Sequence, residues 1–199
     1  MICCSRELKV ITKFKNSKIC LIFLRAFFLV AHLIVLFLNY YIRGAEKFVR
    51  NLLLYFTYWA LAMTTLYYFL TLFTTSYQNP VTGTLAKMNQ FLFGINYMVT
   101  ILFFGAAFSL GDRDEPTYFL GIINHLLPFF SIMVEFTFNN HVFFYRNLFS
   151  VMVAMPIYVY WNIFQSMLEG KPVYDEIDMA TVEGVVYSVF SMFLGMLGA

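Results

Sequence analysis

The sequence predicts an all-α polytopic membrane bundle with about six transmembrane helices, and composition, run length and the placement of breaks all point to it. Of 199 residues, 61% are hydrophobic and only 12% are charged, about half the roughly 25% charged share of a soluble domain. Six apolar runs reach the roughly 20 residues needed to cross a hydrocarbon layer about 30 Å thick. They are Ile19 to Ile42, Asn51 to Ser76, Met88 to Leu110, Tyr118 to Phe138, Asn147 to Leu168 and Met179 to Ala199. Strict alternation is absent from them, so closed β-barrel strands are excluded and each run satisfies its backbone as a helix. Turn-forming residues separate the runs at Arg43-Gly44, Asn79-Pro80, Gly111-Asp112, Asn139-Asn140 and Gly170-Lys171-Pro172.

The chain divides into a basic tail, residues 1–18, and a transmembrane domain, residues 19–199. Arg6, Lys9, Lys13, Lys15 and Lys18 precede an apolar run longer than the core of a cleaved signal peptide, which reads as a retained signal anchor. An organellar import sequence is the alternative, against which stand Glu7 and the preference for lysine over arginine. Loop parity puts Lys87 and Arg146 on the side of this tail, facing a side rich in acids, among them Asp112, Asp114, Glu115, Asp175 and Glu176. Basic residues stay cytoplasmic, so both termini are expected there. Endomembrane or plasma membrane fits best, with the mitochondrial inner membrane as the other option. Cys3, Cys4 and Cys20 cluster near the amino terminus, which leaves no disulfide framework and no metal-ligand spacing. Cys3 and Cys4, beside basic residues, are either palmitoylation sites or plain juxtamembrane thiols. No cofactor motif is present, and nothing suggests nucleic acid as a partner.

Ionisable groups inside a bilayer are costly and are functional candidates by default. Counted inward from the non-cytoplasmic ends of their runs, Thr57, His125, Asn162 and Glu183 lie roughly 6 to 10 Å deep, with His32 about 15 Å below the same face. Thr57, Thr64, Tyr68, Thr71 and Thr75 share one helical face, as do Asn124, His125, Pro128, Ser131 and Glu135. A polar pocket open to one leaflet is expected. A plain packing role competes with it, because Thr, Asn and His commonly serve as interhelical hydrogen bonds worth about 0.6 kcal/mol, and Thr can bond back to its own helix. His125 stands out as a buried imidazole, the usual proton shuttle. Arg25 is expected to snorkel to the interface, Glu135 to be a buried polar contact, and Asn96 to be packing glue. Pro156 is expected to kink its helix and free a carbonyl near Asn162.

Three stretches carry a family resemblance: Tyr55-Phe56-Thr57-Tyr58-Trp59, Ile123-Asn124-His125 with Leu127-Pro128-Phe129, and Tyr158-Val159-Tyr160-Trp161-Asn162 leading into Gly170-Lys171-Pro172-Val173-Tyr174. In this order they resemble the androgen-induced and rolling stone-like family of six-helix membrane proteins. Members include hydrolases of fatty acid esters of hydroxy fatty acids. The resemblance implies a threonine nucleophile at Thr57 and a histidine base at His125. Asn124 or Asn162 would then donate to the oxyanion, and Glu183 would orient the imidazole. The implied partners are membrane lipids and a long-chain ester substrate. The competing expectation is a non-catalytic membrane subunit or lipid-binding component of a larger, possibly organellar, complex. A transporter is disfavoured by the lack of evident midplane charge pairs or internal repeats.

Overall fold

The computed structural model describes residues 18–74, 81–104, 115–139 and 145–173, with positions 186 and 190. The basic tail up to residue 17, the greater part of the sixth apolar run, and Glu183 lie outside the described residues. The elements are all helical: α1 (Lys18–Arg43), α2 (Ala45–Leu54), α3 (Phe56–Thr74), α4 (Val81–Leu102), α5 (Glu115–Asn139) and α6 (Tyr145–Glu169). Among the described residues three segments are long and apolar enough to cross a membrane, Ile19–Arg43, Tyr118–Phe138 and Val151–Glu169, and the bent pair α2 and α3 makes a fourth if taken as one span. Among the described residues the fold class therefore holds as all-helical, with three to four such helices. Polar residues along α4, among them Lys87, Asn89, Gln90 and Asn96, dilute the apolar character expected of a third span.

Helices α1, α3, α4 and α5 pack in a ring, α1 on α3, α3 on α4, α4 on α5 and α5 back on α1, with α6 set against α4 and α2 against α1 and α3. Large apolar side chains on the outer face of α1 point away from the bundle, including Phe23, Phe27, Phe37 and Tyr41, the last 76% exposed. Inside, the arrangement is polar to a degree unusual for water-soluble cores. Fully buried positions include His32, Asn39, Thr64, Asn89, Ser131 and Glu135.

The described part of the run from Asn51 to Ser76, up to Thr74, belongs to two helices, not one. Tyr55 takes an extended conformation, φ −97° and ψ 129°, and the two arms meet at 93°. A break exposes carbonyls at the end of α2 and amides at the start of α3, each costing several kcal/mol in lipid if left unpaired. Helix α6 answers them. The Tyr158 hydroxyl accepts from the Phe56 amide and donates to the Leu54 carbonyl, both at 2.9 Å. Trp161 Nε1 donates to the Leu53 carbonyl at 2.8 Å, and Asn162 Nδ2 reaches Leu54 at 3.5 Å. Two of the stretches singled out in the sequence thus clasp each other.

Arg25 does not snorkel. It is 8% exposed and donates through Nε at 2.8 Å, and through Nη2, to Oε1 of the fully buried Glu135. A buried ion pair satisfies both charges where neither can reach water. It is the lowest rung of a polar seam between α1 and α5. Arg25, His32 and Asn39 recur every seven residues on α1, and in antiparallel register they meet Glu135, Ser131 and Asn124 on α5. Heptad spacing keeps each on the seam and sets the rungs about 10 Å apart. Helix α3 caps the outer rungs, with Tyr67 donating to Glu135 at 3.3 Å and Tyr58 to Asn39 at 2.6 Å. The charged pair that the sequence does not reveal is therefore present, though near the helix ends.

Candidate functional site

Thr57 is the second residue of α3, just past the break, so its depth cannot be counted from Asn51 as the single-helix reading requires. That position frees its hydroxyl. Thr64, Thr65 and Thr71 each donate to the carbonyl four residues earlier, at 2.7 to 2.9 Å, which accounts for Thr64 and Thr71 of the threonine stripe as local back-bonding. Thr57 has no helical carbonyl behind it. Its Oγ1 lies 3.5 Å from Nε2 of His125 on α5, a contact between residues 68 apart in sequence.

His125 is held at its ring and at its backbone. Its ring stacks on Phe103, with centroids 3.9 Å apart and planes within 13°. The backbone carbonyl of His125 accepts from Thr100 Oγ1 on α4 at 2.9 Å. Nδ1 is buried beside the Val99 backbone, without a hydrogen bond among the described residues. A 3.5 Å contact is longer than the roughly 2.6 to 3.2 Å over which a base takes a nucleophile's proton, so a small approach is required before proton transfer.

The other expected site residues stand apart from this pair. Asn124 turns to α1, where its Oδ1 accepts from Asn39 at 2.7 Å and its Nδ2 donates back at 3.1 Å. A paired amide of this kind is committed to packing. Asn162 caps the α2 terminus through Leu54, and its Oδ1 is buried without a partner among the described residues. Glu183 lies outside the described residues. Asn96 donates to Thr64 at 3.0 Å, an interhelical contact between α4 and α3.

Two features carry no signal in the sequence. Phe103, which fixes the ring, lies 22 residues from His125 with no periodic spacing to link them. The Thr57 amide belongs to the first turn of α3 and makes no backbone hydrogen bond among the described residues, whereas the amides of Tyr58 and Trp59 bond to Tyr55. An unpaired first-turn amide is an anion donor aligned with the positive end of the helix dipole. Among the described residues no group of three or more His, Cys, Asp or Glu side chains is arranged to hold a metal ion. No family model matches the chain, and neither the curated proteins nor the solved structures yield a match.

Proposed function

We propose that the chain is an intramembrane esterase for fatty acid esters of hydroxy fatty acids, with Thr57 as nucleophile and His125 as base. The observation that carries the reading is the meeting of Thr57 and His125 across two helices, at the positions the family resemblance implies. In this reading the chain crosses the membrane six times, with α4 and the run at 179–199 as further spans and both termini cytoplasmic. The membrane supplies the substrate laterally.

Thr57 Oγ1 attacks the ester carbonyl carbon as its proton passes to His125 Nε2. The tetrahedral oxyanion falls to the Thr57 amide, in place of the committed amides of Asn124 and Asn162. Collapse breaks the bond to the alkoxy oxygen, which leaves as the hydroxy fatty acid with the proton from His125. Water then repeats the sequence on the acyl-threonine and releases the fatty acid. Base catalysis of this kind contributes about 10²- to 10⁴-fold.

The test is hydrolysis of a branched fatty acid ester by purified protein. Thr57→Ala and His125→Ala should each abolish it to a similar degree, since nucleophile and base act as a unit, and Thr57→Ser should keep part of the rate. Equal rates for wild type and both alanine variants would favour the second reading, a non-catalytic membrane subunit. That reading draws on the Asn39, Asn124 and Tyr58 cluster, whose members satisfy one another as packing contacts do.

A further inference from the structure

Helix α2 meets α3 at 93°, so where α3 crosses a bilayer α2 lies along its surface. Its residues suit that position. Glu46, Lys47 and Arg50 are exposed, Leu54 is buried, and Val49 and Leu53 are each 53% exposed, an amphipathic pattern for a helix at the headgroup boundary. Between α2 and α6 runs a crevice of about 270 Å³, walled by Val49 and Leu53 and carrying Glu46, Arg50, Gln165 and Glu169 as polar groups.

The charges alternate along it. Arg50 Nη2 donates to Glu169 Oε2 at 3.1 Å, which leaves its Nε and Nη1 without a hydrogen bond among the described residues. Glu46, one turn earlier on α2, forms no ion pair among the described residues. Side chains one turn apart have Cβ atoms roughly 5 to 6 Å apart, the scale of the two-carbon bridge between a phosphate and an amine. An anionic headgroup would meet two carboxylates and one guanidinium, an unfavourable balance. A quaternary amine would bring its charge but no N–H for the carboxylates.

We propose that the crevice between α2 and α6 is a headgroup site for a phospholipid bearing a primary amine, with Arg50 taking the phosphate and Glu46 and Glu169 taking the ammonium. The acyl chains of such a lipid would lie against Val49 and Leu53. This site is independent of the Thr57 and His125 chemistry.

The chain has two tryptophans, and both report on the crevice. Trp161 donates to the carbonyl of Leu53 in its wall, and the Trp59 ring lies 6.5 Å from that of Trp161. The experiment reconstitutes the full chain in phosphatidylcholine vesicles containing a minor fraction of lipid brominated on its acyl chains, with phosphoethanolamine, phosphocholine or phosphoglycerol heads. Tryptophan quenching by the phosphoethanolamine lipid should imply binding roughly fivefold tighter than that of the phosphocholine lipid, a gain of charge-assisted hydrogen bonds. The combined change Glu46→Gln and Glu169→Gln should bring that ratio to one, while Arg50→Gln should weaken both lipids alike. Trp59→Phe should preserve the effect and assign it to Trp161. Equal quenching by the two zwitterionic lipids, strongest quenching by phosphoglycerol, or a preference that survives removal of both carboxylates would each overturn the proposal. Should the double variant not fold, Glu46→Gln alone, at an exposed position, decides the matter: the preference should shrink, and an unchanged ratio would overturn the proposal.

Discussion

Replacing Tyr158 by Phe removes one oxygen and leaves the ring. The ring contacts with Phe56 and Trp59, at centroid distances of 4.5 and 5.4 Å, therefore persist, and the loss falls on two hydrogen bonds that bridge the helix break. The Leu54 carbonyl keeps its long contact with Asn162. The Phe56 amide loses its acceptor in a buried site. One orphaned buried group costs about 1 to 3 kcal/mol, so Tyr158→Phe should destabilise by about 2 kcal/mol, a roughly 30-fold fall in the folded-to-unfolded ratio. Reversible unfolding in bicelles, monitored by steric trapping, measures it. Tyr160→Phe, at a side chain 74% exposed, is the control and should change nothing. Thr57 begins one residue beyond Phe56, so ester hydrolysis should fall together with stability. A Tyr158→Phe protein within about 0.5 kcal/mol of wild type would refute the account of the break.

The buried pair on the first rung gives a second test: Glu135→Leu takes away the carboxylate that Arg25 donates to and should cost about 3 to 5 kcal/mol. Adding Arg25→Met should recover most of that loss, and a double variant as unstable as the single one would show that the buried charge deprived of its counter-ion is not the cause. Thr64→Ala removes the acceptor of Asn96, so thermal stability should drop by about 0.6 to 1.7 kcal/mol while ester hydrolysis stays at the wild-type rate. Equal losses of activity at Thr64 and Thr57 would assign the stripe to packing. Gly44→Ala places a side chain at φ 78° and ψ 160°, and although nothing lies within 4 Å of the added carbon, this backbone region is essentially confined to glycine and should cost about 1 to 3 kcal/mol in the same unfolding assay. No measurable change would mean that the turn into α2 relaxes freely.

What the sequence determined by itself is the helical, apolar character of the chain and, through a family resemblance, the naming of Thr57 and His125 as candidates. Both follow from properties carried by one segment at a time, such as run length, turn residues and the short stretches around those two positions. Contacts between segments are a different matter. The break at Tyr55 leaves no Pro or Gly as a marker, because it is tolerated only where Tyr158, Trp161 and Asn162 arrive from about a hundred residues away to satisfy the freed backbone. Arg25 reads as a snorkelling cation until Glu135 appears opposite it, and the spacing of 110 residues between them carries no periodic signal. Asn124 and Asn162 looked available as oxyanion donors because a polar side chain on the right face is legible in one dimension, whereas the partner that occupies it is not. The depth count that grouped Thr57 with His125 started from a helix end that does not exist, and the two meet because α3 starts afresh at Phe56 beside α5. Burial and partnership are properties of pairs of surfaces, so they became definite only when the helices were packed.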